Sequence, residues 1–458
     1  MVPAALCLAL IAQQPPPPVA STAAIAYAWV QRLGREMGDS IWPGFRPDTI
    51  RVLYVVRGQG TLLLGWPGAL PSGFTPFSNL DHAGWQSSTD RGAASTGTEL
   101  AGRPTAQVVV TDSQGIAALI GLTTHEAFHV FRAAAKKENA FLVTSYPVFD
   151  PHNEAAMALE GRTLAAAEQA RTKAEQRALA RQFLAVRESR QRALGADLAN
   201  FEQLAELNEG LAEYTLVRSV ALAARYADFP DRAGAERLRA GKLTGLHNLT
   251  EDATRSIRLR YYATGPAMGM LLDRLEGPAW KSRLVSQNLT VQDALADASG
   301  YRAAESALLR EAESRFAMPS LRRGADSGVA GLRAIRRAQV DSILNAPGVQ
   351  LTVTVEGRGI GLCGIDPQNL LQVEPGVLLH TRWLRACAGD AFQATFNTPV
   401  VQDQNAQSLR AVVGADSTVK VTVGRESELQ IESPVVSLRA ANAEISRDGR
   451  VLTVKIKP

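Results

Sequence analysis

Apolar and polar positions are arranged in three different ways along the chain, and each arrangement predicts a different kind of element. Near the start, Ala23 to Met37 reads as a helix. Ile50 to Val56 and Thr61 to Leu64 read as strands, joined through Arg57-Gly58-Gln59-Gly60 as a hairpin. Trp66 to Gly102 is rich in Gly, Ser, Thr and Pro and reads as loop. Ala106 to Thr111 (AQVVVT) predicts a further strand, and a helix is expected from about Gln114 through Phe131. Ile116, Leu119, Ile120 and Phe128 are the residues of that helix expected to enter a core.

From Ser113 to about Leu344 the chain is mainly helical in pattern. Ala, Leu, Arg and Glu dominate, and apolar residues recur three and four positions apart. Asn153 to Leu194 predicts long helices whose mixed Arg and Glu read as the solvent face of a helical hairpin. From Gly348 the period shortens to two, as in Leu351-Thr352-Val353-Thr354-Val355, Val419 to Val423 and Val451 to Ile456, with Asp448-Gly449 as a turn. The expected fold is therefore α+β: a mainly helical region with a small N-terminal sheet over residues 21–344, then a β-sandwich-like domain over 345–458. No internal repeat is visible.

Met1 to Ala12 is almost wholly apolar and is followed by Gln-Gln-Pro-Pro-Pro-Pro. Residues 1–20 are expected to be a secretory signal, with Ala12 near the cleavage point, and an extended linker. Export to a bacterial periplasm or the medium follows from that reading. It leaves Cys363 and Cys387 in the mature chain, expected to pair as a disulfide. No later run of about twenty apolar residues occurs, so no membrane span is expected after the signal. Lys and Arg number 49 against 45 Asp and Glu, without a block of one sign. That is a solvated surface rather than a nucleic-acid or membrane patch.

The candidate chemistry lies in His125-Glu126-Ala127-Phe128-His129. A helix brings residues four apart onto one face, so His125 and His129 can present two imidazoles to one metal. Glu126, one position on, reaches the open side of that metal and can take a proton from water. The other histidines, His82, His152, His247 and His380, lack paired ligand spacing. Asn248-Leu249-Thr250 and Asn288-Leu289-Thr290 are sequons, which matter only in a eukaryotic secretory route; the Ala- and Arg-rich composition fits a bacterial source better. No glycine loop of the phosphate-cradling kind stands out.

Downstream lies Leu207-Asn208-Glu209-Gly210-Leu211-Ala212-Glu213-Tyr214. With the His-Glu-x-x-His run, this segment resembles the gluzincin metallopeptidases, the group that includes thermolysin and aminopeptidase N. The resemblance implies zinc as cofactor, Glu209 as third ligand, and Glu213, one turn on, as the acid that orients a ligand histidine. Tyr262-Ala263-Thr264-Gly265 resembles the Tyr-x-x-Gly of the same enzymes and implies that the phenol of Tyr262, or of its neighbour Tyr261, stabilises the tetrahedral intermediate. The resemblance covers roughly residues 106–275 and implies a zincin-like catalytic region. The interval from His129 to Glu209 is longer than in either named enzyme, so a helical insertion at about 150–200 is expected. Glu154, in Asn153-Glu154, and Glu160 are the rival third ligands. The Gly-x-Met-Glu-Asn element with which aminopeptidases hold a free amine is absent.

The expected activity is zinc-dependent hydrolysis of peptide bonds, more in the manner of an endopeptidase than an aminopeptidase, with a peptide or protein as substrate. Two alternatives stand beside it: an amidase acting on a non-peptide substrate, and a non-catalytic binding or adhesion protein whose zinc only staples helices.

Overall fold

In the computed structural model, residues 18–457 are described apart from 78–79, 88–93, 137, 250–256, 358, 367–368 and 425–427. The expected signal therefore lies almost wholly outside the described residues. A helix, α1, runs over Pro18–Ile41, beginning inside the stretch read as linker. No described helix is long and apolar enough to cross a membrane. The architecture is α+β, with a small N-terminal sheet, a helical middle and a sheet-rich C-terminal part.

By its internal contacts the chain divides into two compact units, at other places than the 344/345 boundary read from the sequence. One comprises Met1–Ala135 and Leu211–Gly241, the other Lys136–Gly210 and Lys242–Pro458. The cut at Gly210/Leu211 falls inside one unbroken helical stretch, since a π turn, Glu206–Gly210, runs directly into α6, Leu211–Ala223.

In the first unit, six strands form a mixed sheet: β1 (Arg51–Val56), β2 (Gly60–Leu64), β3 (Thr75–Pro76), β4 (Gly84–Gln86), β5 (Thr96–Leu100) and β6 (Arg103–Val110). Their order is β3-β4-β2-β1-β6-β5, with β1 and β6 parallel and the other pairs antiparallel. The β1–β2 hairpin forms as its sequence predicts. Three of the six strands, β3, β4 and β5, lie in the segment read as loop. They are short, and β3 and most of β5 face solvent, so their side chains carry no alternation to detect. The helix α2, Ile116–Phe131, packs on β6 and β5, and α6 packs on α2 and α1. Trp42 and Phe45 meet the Phe128 ring edge to face, each at 5.3 Å between centroids, and pin the second half of α2. Tyr54 on β1 shares a buried 2.7 Å hydrogen bond with Thr123 on α2. Beyond α6, α7 spans Arg232–His247 and straddles the boundary between units.

The second unit contains the hairpin of α3 (Pro151–Gln169) and α4 (Lys173–Leu194), then α5 (Ala196–Ala205), α8 (Tyr261–Glu276), α9 (Ala279–Ser286), α10 (Val291–Ser299), α11 (Ser306–Arg315) and α12 (Met318–Leu344). The Arg and Glu of α3 and α4 do not all face water, contrary to the sequence reading. Arg187 bridges Glu160 (3.0 Å) and Glu206 (2.8 Å), and Arg190 pairs with Glu160 and with both oxygens of Glu202, all of them buried. Burial alone would push the Glu202 carboxyl upward, yet Arg190 outweighs it and holds it down at about 2.

The sheet-rich part is built from two sheets. One runs β18 (Ala443–Asp448), β19 (Val451–Ile456), β7 (Gln350–Val355), β14 (Ser408–Val412), β13 (Val400–Asp403), β10 (Val377–His380) and β9 (Leu370–Glu374). The other runs β15 (Lys420–Val423), β16 (Leu429–Ser433), β17 (Val436–Ala440), β12 (Phe392–Phe396), β11 (Leu384–Cys387) and β8 (Gly361–Ile365). Both contribute to one apolar core, through Leu351, Val353 and Val454 on the first and Phe392, Ile431 and Leu438 on the second. Cys363 and Cys387 form the expected disulfide, across the neighbouring strands β8 and β11. Val340 and Leu344 of α12 pack with Leu371, Val373 and Leu379, which ties the helices to β9 and β10.

Candidate metal centre

The centre begins with how α2 is held. One of its free N-terminal N–H groups, on Ala117, donates to the Asp231 carboxylate at 2.9 Å, which supplies an acceptor that a helix N-terminus lacks. Leu119, Ile120 and Phe128 fill the core, as expected, joined by Ala127, whereas Ile116 is only half-buried. At Gly121 a Cβ would fall 2.7 Å from Leu216 Cγ, so the bare α-carbon is what lets α2 and α6 lie so close. The approach brings His125 to Glu213. Its Nδ1 lies 2.9 Å from Glu213 Oε2, and both side chains are buried. A carboxylate only accepts, so Nδ1 carries the hydrogen and Nε2 presents its lone pair. That nitrogen faces His129 Nε2 at 3.1 Å. Two such nitrogens at this distance need a proton or a metal ion between them.

Glu209 enters from the π turn ahead of α6. Ligand atoms of His125, His129 and Glu209 all lie within 4.8 Å of one another, with His125 and Glu209 buried and His129 half-buried. Two nitrogens each about 2.0–2.1 Å from a tetrahedral ion stand roughly 3.3 Å apart, close to the observed imidazole spacing. Two imidazoles and a carboxylate are a fitting donor set, and the group can hold a metal ion. Glu126, the next residue after His125, is buried on the same turn.

Both oxygens of Glu209 also have partners of their own. Arg258 Nη2 donates to Oε1 at 2.7 Å, and the Tyr262 hydroxyl donates to Oε2. The same Arg258 donates to Glu138 Oε1 from Nη2 at 2.6 Å and from Nε at 3.0 Å. Burial works against the Arg258 charge, but Glu209 and Glu138 outweigh it and hold its pKa above the usual guanidinium value. Tyr262 is set down here by the contact between α8 and the π turn, where Gly265 meets Gly210.

The sequence left two choices open, and the structure separates the residues in each. Glu154 is buried against Arg260, which donates to both its oxygens at 2.6 and 2.8 Å, and Glu160 is held by Arg187 and Arg190; neither belongs to the group with the histidines. Tyr261 is fully buried among apolar side chains with Phe201, and Tyr262 is the neighbour at Glu209. Of the remaining histidines, His82 contacts the Trp66 carbonyl and His380 is buried against Gln402. The residues that sequence reasoning missed are Glu138 and Arg258. Arg258 lies four positions before Tyr262, a helical interval that places both side chains on one side; Glu138 gives no signal at all. No family model, curated protein or solved structure matches this chain, so its reading rests on the geometry of the site.

Proposed function

We propose that the protein is a zinc-dependent peptide-bond hydrolase with a zincin-like catalytic region, an endopeptidase rather than an aminopeptidase. The observation that carries this reading is the three-donor group of His125, His129 and Glu209, with the acid Glu126 on the helix of the first two donors. Catalytic zinc sites take three protein donors and keep one position open, whereas structural sites close it with a fourth. Among the described residues the group has three. That favours a hydrolase over a protein whose metal only staples helices.

When bound, zinc supplies Lewis-acid polarisation of the scissile carbonyl and a more acidic water. The chain's residues do the rest. Glu213 fixes the His125 tautomer, so that Nε2 is a donor. Glu126 accepts the proton of the attacking water and passes it to the leaving amine. Tyr262, whose hydroxyl rests on the third donor in the free site, turns its single phenol proton from Glu209 to the carbonyl oxygen as that oxygen gains charge.

A peptide is favoured over a non-peptide amide by the edge of the N-terminal sheet. Among the described residues β5 is one of the two edge strands, largely exposed, and lies along α2, where a Cβ on Gly97 would come 3.9 Å from His129 Cβ. An extended peptide can pair with such an edge beside the histidines. Export is supported by the disulfide.

The test is metal analysis with digestion of a broad peptide library by the parent and by Glu126→Gln. The parent is expected to hold one zinc and cleave internal bonds. The variant is expected to keep the zinc and lose turnover by roughly 10²–10⁴. A zinc-loaded variant as active as the parent would sink the assignment of Glu126. Cleavage of simple amides but no peptide by the parent would replace the peptidase with the amidase.

A further inference from the structure

We propose that Arg258, braced by Glu138, is a positioning residue that fixes the Glu209 carboxylate as the third metal donor. The proposal rests on the reading of the centre given above and adds the device that keeps it assembled.

A glutamate is a poor ligand unless its carboxylate is both ionised and aimed. Glu209 projects from a π turn on a side chain with three rotatable bonds, so the backbone alone does not aim it. Arg258 and Tyr262 each take one of its oxygens, which fixes the plane of the group. Of the two, only Arg258 is a cation, and it alone also reaches Glu138.

A lone guanidinium beside a cation site would repel the cation. Glu138 removes that difficulty. Its side chain is 3% exposed, and its Oε1 is hydrogen-bonded by the same Nη2 that reaches Glu209. One guanidinium between two carboxylates leaves a net charge of −1. A divalent ion therefore meets the same net charge as it would from Glu209 alone. Take Arg258 away, and two buried carboxylates that shared one nitrogen face each other with nothing between them, so Glu209 must turn away.

The experiment measures zinc affinity by chelator competition, and the visible spectrum of the cobalt-substituted chain, for the parent, Arg258→Met, Arg258→Lys and Glu138→Gln, with folding followed by circular dichroism. A folded Arg258→Met is expected to bind zinc 10- to 100-fold more weakly, the range for partners that orient a ligand, and to change the cobalt spectrum. Arg258→Lys should recover part of the affinity, because an ammonium keeps the charge but not the fork. If Arg258→Met fails to fold, Glu138→Gln carries the test, since it removes the charge of the brace while leaving an oxygen to accept from Asn208, and is expected to weaken zinc in the same direction. A folded Arg258→Met, or in its place a folded Glu138→Gln, with the parent's affinity and cobalt spectrum overturns the proposal. A parent that binds neither ion removes the centre itself, and the clamp with it.

Discussion

Gly210 and Gly265 meet backbone to backbone: a Cβ on Gly265 would fall 2.2 Å from the Gly210 Cα. Gly210 closes the π turn that carries Glu209, and Gly265 lies one turn beyond Tyr262 on α8. Gly265→Ala must push the two segments apart. It is expected to destabilise the fold by about 1–3 kcal/mol, the usual range for overpacking, and to weaken metal binding by parting Tyr262 from Glu209. Urea unfolding and a metal titration check this, and an unchanged midpoint with unchanged affinity would refute it.

Tyr262→Phe is expected to fold normally and to slow peptide hydrolysis by roughly 10²–10³, the scale for losing one oxyanion donor. Tyr261→Phe is expected to leave turnover alone. Among the described residues the buried Tyr261 hydroxyl has no hydrogen-bond partner, so its removal is neutral or slightly stabilising. Steady-state kinetics of the two variants side by side decide it, and the reverse pattern would exchange their roles.

His380 makes stability depend on acidity. It is buried beside Gln402, and burial lowers its pKa from 6.5 to about 4. The unfolded chain then takes up a proton at higher pH than the folded one. The contribution of His380 is therefore fully present above about pH 6.5 and lost as pH falls towards 4. Denaturant unfolding at a series of pH values should show a downward slope across that window which a folded His380→Leu lacks. An identical slope in both proteins would contradict the assignment.

The bridge between Cys363 and Cys387 closes a loop with a sequence separation of 24. Chain entropy for a loop of that length gives a stabilisation of about 3 kcal/mol. Mass spectrometry of unreduced protein from the exported fraction should find the linked peptide, and reductant should lower the thermal midpoint. Two freely alkylated thiols in that sample would exclude the link.

The elements that sequence made legible are those whose side chains report their own burial. The α2 helix was legible from its apolar positions, the β1–β2 hairpin from its turn, and the C-terminal strands from their alternation. His125 and His129 were legible from helical spacing, whereas Glu209 and Glu213 were expected only from the resemblance of their segment to the gluzincin metallopeptidases. Burial that depends on distant partners was not legible. Arg187 and Arg190 look like surface residues until Glu160, Glu202 and Glu206 arrive from other positions to neutralise them. The π turn was hidden too: ELNEG carries no local signal for it, and its partner α8 lies far along the chain. Glu138 meets Glu209 through Arg258, far along the chain, so no local pattern marks it.

The first compact unit is interrupted in sequence, with residues 136–210 belonging to the other. During synthesis, α2 therefore leaves the ribosome well before α6, the helix that covers it. For that interval the nascent chain has His125 without Glu213, and a helix face built for burial has no cover. Arrest of translation just past residue 135 should leave the sheet and α2 open to protease, and arrest beyond residue 241 should close them.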